Sequence, residues 1–219
     1  MLRKRKLRGP MTEILVTAGA TRNPIDSMRF ISANSSGRTG AWLASELSKF
    51  GGVTVLGSPE ALSRCDPGTS TQEFSTTEDL MSKMRSWVEK HPDGMVIHAA
   101  AVGDYSAKTI DPTAKLPSGQ NEITLTLIPT PKILDAIRSW SNEAIVVSFK
   151  AAPPGTERGA LEAIAQSQAE RTDSALVFAN TIGRLEEDIL LWSREGTRWF
   201  KQRADALSAL VQWIESQSE

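Results

Sequence analysis

Residues 14–40 read ILVTAGATRNPIDSMRFISANSSGRTG. The stretch begins inside a short apolar, β-branched run, residues 13–18, that stops at Gly19. A run of that length bounded by glycine predicts a buried parallel strand entering a turn. Residues 37–50 then show helical spacing, with Trp42, Leu43, Leu47 and Phe50 on one side. Strand and helix are not adjacent, because residues 24–33 intervene. Small residues at Gly19, Ala20 and Thr21 allow a backbone to approach a phosphate. Ser35, Ser36 and Gly37 stand where the helix begins, and hydroxyls with free amides at a helix start make an anion site. The two segments together read as a split dinucleotide fingerprint. The plainer alternative is a capped helix after an ordinary loop.

Outward from this stretch the same rhythm continues. Strands are predicted at residues 53–56, 71–75, 95–101, 144–149 and 175–179, and helices at 80–90, from Pro131, and at 157–170. Residues 189–192 and 198–201 flank Arg194-Glu195-Gly196-Thr197, which suggests a hairpin, and residues 203–215 close the chain as an amphipathic helix. Apolar strands alternating with helices imply an α/β fold, a Rossmann-like, doubly wound and mainly parallel sheet. Residues 104–130 break the rhythm. They are polar and loop-like, with exposed-strand alternation at 122–128, and read as an arm or flap inserted after a strand.

Composition sets the outer bounds. The chain has 219 residues, 40% hydrophobic and 23% charged, enough for one domain with a real core. A net charge of −1 gives no electrostatic case for nucleic-acid binding. No apolar run reaches the length of a membrane span. The single cysteine, Cys65, cannot form an internal disulfide, which fits a cytoplasmic location. Residues 1–10 are rich in Lys and Arg with no apolar stretch behind them, and read as a disordered basic extension, with Met11 as an alternative start. Residues 11–219 then form a single domain carrying the 104–130 arm.

Ligands of doubly wound sheets sit at the carboxyl ends of the strands. Besides the opening stretch, three places qualify. Ala101 and Asp104 follow a strand whose small end residues leave room for a base or ribose. Lys115 lies on the arm, where a lysine can close over a phosphate. Phe149 and Lys150 end another strand, where the ring can stack on a base and the amine can reach a phosphate. Each has a plain alternative: a turn, a solvated lysine, a core phenylalanine. His91, His98 and Cys65 lack metal-ligand spacing, and no metal ligand is assigned to the protein. His98 lies in an apolar strand and reads as a packed histidine. The tryptophans, mostly in predicted helices or the hairpin, read as core or subunit contacts.

In this order, residues 14–26, 29–40 and 99–105 (AAAVGDY), Lys115, residues 131–134 (PKIL), 148–150 (SFK) and 177–180 (VFAN) resemble the phosphopantothenate–cysteine ligase family. That family is the ligase domain of the coenzyme A biosynthesis bifunctional protein, of DNA/pantothenate metabolism flavoprotein C-terminal type. The resemblance implies that CTP or ATP, with Mg2+, activates 4'-phosphopantothenate as an acyl-nucleotidylate, which cysteine then attacks. It also implies a homodimer. Carried onto this sequence, it gives nucleotide binding to Gly19, Ala20, Thr21, Ser35, Ser36, Gly37, Ala101, Asp104, Phe149 and Lys150. It gives phosphate contacts to Lys115 and a place near the acyl group to Arg29. The family's asparagine for the second half-reaction falls at Ala33, one residue before Asn34. Either the loop brings Asn34 into that role or the second step is altered, which leaves a nucleotide-binding relic as the alternative. The arm has Pro117 and Ser118 where bacterial forms carry more lysines, and Gln166 and Glu170 lie nearest to lysines that often precede the last strand. A nicotinamide-dependent reductase fits less well. Tyr105 is the only tyrosine, and position 109 of a Tyr-x-x-x-Lys pair is threonine.

Overall fold

The apolar run after Met11 forms β1 (Thr12–Ala18), whose alternation places Ile14, Val16 and Ala18 on one face of a sheet and Leu15 on the other, all fully buried. The structure, a computed structural model, describes residues 12–108 and 113–218. The proposed basic extension, residues 1–10, lies outside the described residues. After β1 the chain forms a small antiparallel hairpin, β2 (Arg22–Pro24) and β3 (Phe30–Ser32), in the segment that carried no strand expectation. Then come α1 (Arg38–Leu47) and β4 (Gly51–Gly57). In α1, Leu43 and Leu47 are buried, but Trp42 is exposed rather than sharing their side.

A four-residue helix not expected from the sequence, α2 (Pro59–Leu62), precedes β5 (Ser70–Glu73). Helix α3 (Thr77–Lys90) starts where the Thr76 side chain accepts the Asp79 amide, with Glu78 and Asp79 in its first turn and Lys90 in its last. That charge order suits the helix dipole. Strand β6 (Met95–His98) ends three residues before the expected Ala101.

The arm is closed at its base by β7 (Tyr105–Ala107) and β8 (Leu127–Pro129), which pair antiparallel. The exposed strand expected at 122–128 is therefore corrected. Among the described residues only its last two, Leu127 and Ile128, join the ladder with β7. Beyond the arm lie α4 (Ile133–Trp140), β9 (Ile145–Ala152), α5 (Arg158–Thr172) and β10 (Leu176–Thr181). The expected hairpin is β11 (Ile189–Ser193) and β12 (Gly196–Phe200), followed by α6 (Arg203–Ser218).

One sheet runs β12-β11-β10-β9-β6-β1-β4-β5, parallel from β10 to β5 and antiparallel through the terminal hairpin. Helices α1 and α6 cover one face, packing on Val16, Val55, Val147 and Phe178. Helices α3, α4 and α5 cover the other, over Leu15, Val96, Val146 and Val177. This is the doubly wound α/β sheet that the alternation implied. The chain leaves β1 toward β4 and β5, then crosses back to β6 on the far side of β1. That reversal opens a crevice at the carboxyl ends of β1 and β6. Among the described residues no helix is long and apolar enough to cross a membrane.

Candidate functional site at the β1–β6 crevice

Three glycines make the floor of the crevice. Gly19, at the end of β1, has φ +92°, and a Cβ there would lie 2.1 Å from Ser58 Oγ. Gly37, the cap residue of α1, has φ +75°; a Cβ there would lie 2.2 Å from the Ala61 Cβ and 2.9 Å from the Gly19 amide nitrogen. A Cβ on Gly40 would meet that of Ala18 at 2.5 Å, so α1 rests directly on β1. Tight turn, close backbone approach and helix–strand packing are the three uses of glycine in a dinucleotide loop. Here they are split between two segments. The first turn of α1 carries no acidic residue and its cap makes no side-chain hydrogen bond. That leaves a positive helix end facing the crevice, with half-buried Ser35 and Ser36 just before it.

The second wall is the segment after β6. Ala20 and Ala101 form a parallel bridge in which the Ala101 amide donates to the Gly19 carbonyl at 2.8 Å and the Thr21 amide to the Ala101 carbonyl at 3.1 Å. The Thr21 side chain is fully buried, and its hydroxyl accepts from the Gly103 amide and the Thr77 hydroxyl. It locks the two walls together. Asp104 is exposed and ion-paired with Lys132, while its carbonyl accepts the Thr130 amide.

Behind this wall, His98 is buried with Nδ1 2.9 Å from Thr17 Oγ1, which also accepts the Ala100 amide. It is the packed histidine that its apolar strand suggested. Burial pushes its pKa from 6.5 down to about 4. The native imidazole therefore stays neutral while the unfolded chain takes up a proton. Stability is fully retained above about pH 6.5 and falls as pH drops toward about 4, by on the order of 3 kcal/mol. In His98→Gln this loss is expected to flatten, as read by urea unfolding between pH 4.5 and 7. An unchanged slope would remove His98 as its source.

The β2–β3 hairpin and the arm meet on one carboxylate. Asp26 is buried and accepts the Met28 and Arg29 amides, the Arg29 guanidinium and the Leu116 amide. The Arg29 guanidinium, and then these backbone donors, hold its carboxyl well below the usual range against the cost of burial. Arg29 also donates to the Leu116 carbonyl, and Ser27 to that of Ala114. Lys115 is thus carried on a segment tied to the hairpin at both flanks, with its own side chain exposed. Arg22, Asp26, Arg29, Phe30 and Thr76 line a cleft of about 390 Å³ here. Ala33 and Asn34 are both exposed on the approach to α1. Asp26 was not singled out in the sequence. An Asp two and three residues before the amides that it accepts is the Asx-turn signal that marks it.

At the far wall, Phe149 is half-buried and stacks on Phe178 with ring centroids 4.8 Å apart, and Lys150 beside it is half-buried. Arg203 covers the Phe178 ring at 5.0 Å and donates to Thr39 Oγ1, in the first turn of α1, at 3.1 Å. The crevice thus gathers Gly19, Ala20, Gly37 and Ala101 directly. Arg29 and Lys115 stand around the docked arm, and Phe149 joins through Phe178 and Arg203. No local pattern marks Arg203, which comes to the site only through the packing of α6 against α1.

A family model described as DNA/pantothenate metabolism flavoprotein C-terminal domain matches residues 10–205. The coenzyme A biosynthesis bifunctional protein CoaBC of Thermococcus kodakarensis is 35% identical over 185 residues, 83% of this chain and 45% of that protein. The chain thus spans about half the length of this curated relative. Among solved structures, the DNA/pantothenate metabolism flavoprotein from Streptococcus pneumoniae superimposes with a TM-score of 0.82 at 23% identity, covering 94% of this chain and 99% of the other. A Cab2 variant in complex with phosphopantothenate-cysteine gives 0.74 at 19% identity, covering 94% and 87%. At such identities the two structures speak for the fold.

Proposed function

Because the chain belongs to the DNA/pantothenate metabolism flavoprotein C-terminal domain family, we propose that it joins 4'-phosphopantothenate to cysteine in coenzyme A biosynthesis, driven by CTP or ATP. A carboxylate oxygen of phosphopantothenate attacks the α-phosphorus, the bridging P–O bond breaks and pyrophosphate leaves. The cysteine amine then attacks the acyl carbon of the acyl-nucleotidylate, loses a proton and expels the nucleoside monophosphate. The observation that carries this reading is the convergence of Gly19, Gly37 and the Ala20–Ala101 bridge where the sheet reverses. The CoaBC relative and the ligand named for the Cab2 variant favour the same chemistry.

In this reading the amides after Gly37, with Ser35 and Ser36, hold phosphate oxygens, and Ala101 and Asp104 seat the ribose or base beside Phe149. Lys115 and Lys150 bring positive charge to the leaving pyrophosphate, and Arg29 orients the carboxylate. Asn34 serves the second step. The work is positioning and charge stabilisation. Mg2+ enters with the triphosphate and offsets its charge. Among the described residues there is no group of three or more His, Cys, Asp or Glu that could hold a metal ion. A cytoplasmic homodimer is part of the same proposal. Exposed Met28, Phe30, Tyr105, Leu127 and Ile128 lie on β7, β8 and the hairpin packed against them, a surface that a second copy would cover.

Incubation with phosphopantothenate, cysteine, Mg2+ and either nucleotide is expected to release pyrophosphate and form phosphopantothenoylcysteine. Absence of pyrophosphate with both nucleotides overturns the proposal. Acyl-nucleotidylate without the cysteine product would instead establish a half-reaction.

A further inference from the structure

We infer that Arg203 is a phosphate-binding residue of this nucleotide site, an assignment that rests on the nucleotide reading above. Helices α1 and α6 pack on the same face of the sheet and both begin at its carboxyl edge. Arg203, the first residue of α6, is half-buried between them. Its guanidinium donates to the Leu185 carbonyl at 3.1 Å and to Thr39 Oγ1 at 3.1 Å, and covers the Phe178 ring at 5.0 Å. Its amide donates to the Glu186 carbonyl. Burial lowers its pKa, with the Glu186 charge acting in opposition. Among the described residues no carboxylate forms an ion pair with it, and its hydrogen-bond partners are neutral oxygens.

A cation taken partly out of water and left without a bonded counter-charge is incompletely compensated. The first turn of α1 beside it also lacks a negative charge, since it holds no acidic side chain. The first turn of α6 holds Asp205, which offsets its own positive end, so the uncompensated start of α1 and the guanidinium converge on one corner, and an anionic oxygen satisfies both. Arg203 suits this role better than Lys115, which is exposed. The planar guanidinium is already oriented by Thr39 and the Phe178 ring, so little rotamer freedom remains to be lost on binding.

The test compares the parent chain with Arg203→Met and Arg203→Lys. Calorimetry gives the affinity for CTP and ATP with Mg2+, and saturation-transfer NMR gives that for cytidine and adenosine. Arg203→Met is expected to weaken triphosphate binding about tenfold or more, leave nucleoside binding unchanged and reduce the salt dependence. Arg203→Lys retains most of the affinity. If Arg203→Met melts below the assay temperature, Arg203→Gln takes its place with the same expected result. Triphosphate affinity equal to that of the parent in a folded, uncharged variant overturns the inference. So does an equal loss for triphosphate and nucleoside, which marks a purely structural role. A parent chain that binds neither nucleotide overturns the nucleotide reading itself, and the inference with it.

Discussion

Gly37→Ala is expected to lower stability by about 2–5 kcal/mol and to weaken nucleotide binding at least about tenfold. Two separate effects add. The residue sits at φ +75°, and a left-handed conformation costs an L-residue about 1–2 kcal/mol. The new methyl also arrives 2.2 Å from the Ala61 Cβ and 2.9 Å from both the Ala61 Cα and the Gly19 nitrogen. Two of these neighbours are backbone, so relief requires moving α2 or the end of β1, an overpacking cost of about 1–3 kcal/mol. At about 2–4 °C per kcal/mol for a domain of this size, the melting temperature falls by about 4–20 °C. Gly183→Ala separates the two effects. Gly183 has φ +90°, but a methyl group added there would meet nothing within 4 Å, so only the conformational part remains, about 1–2 kcal/mol with nucleotide affinity intact. Equal effects of the two substitutions in thermal melts would show that the contact with α2 does not matter.

Phe178→Ala is expected to cost about 3–5 kcal/mol, measured by urea unfolding at pH 7. The ring is fully buried, with Phe149 stacked on it and the Arg203 guanidinium over it. Removing it leaves a cavity below the crevice and frees two groups that border the proposed nucleotide site. Leu210→Ala, fully buried in the same cluster, is expected to cost a comparable about 2–5 kcal/mol while leaving nucleotide affinity unchanged. Parallel losses of affinity in both variants would show that Phe178 matters only for stability.

Long periodic segments were legible in the sequence for a simple reason. Strands such as β1 and β10 are buried on both faces, so their apolar runs are continuous, and α3 announces itself through Thr76 and its acidic first turn. Short elements were not, because their pairing is set by remote partners. The β2–β3 hairpin is three residues a side, contains Pro24, and is shaped by Asp26 folding the turn beneath it. Residues 122–128 alternate as a strand should, yet among the described residues only Leu127 and Ile128 join a strand ladder. Trp42 stands next to Leu43 in the sequence, yet one helical step turns it about 100° away, toward solvent. The site divides in the same way. Gly19 and Gly37 could be read because only glycine suits a positive φ at close quarters. Arg203 could not, since it meets Thr39 across 164 residues of sequence.

The two ends of the long sheet differ from its middle. The outermost strands are β5, whose residues Ser70–Glu73 are all exposed and polar, and β12, where Arg198 lies over Phe200. An unpaired strand margin is a template on which other chains can polymerise, and charge or short polar strands blunt it. With β5 only four residues long and β12 bearing a cation on its outer half, the sheet has no long, flat, apolar margin to offer. Both margins are thus poor templates for edge-to-edge pairing, independently of the core and of the crevice.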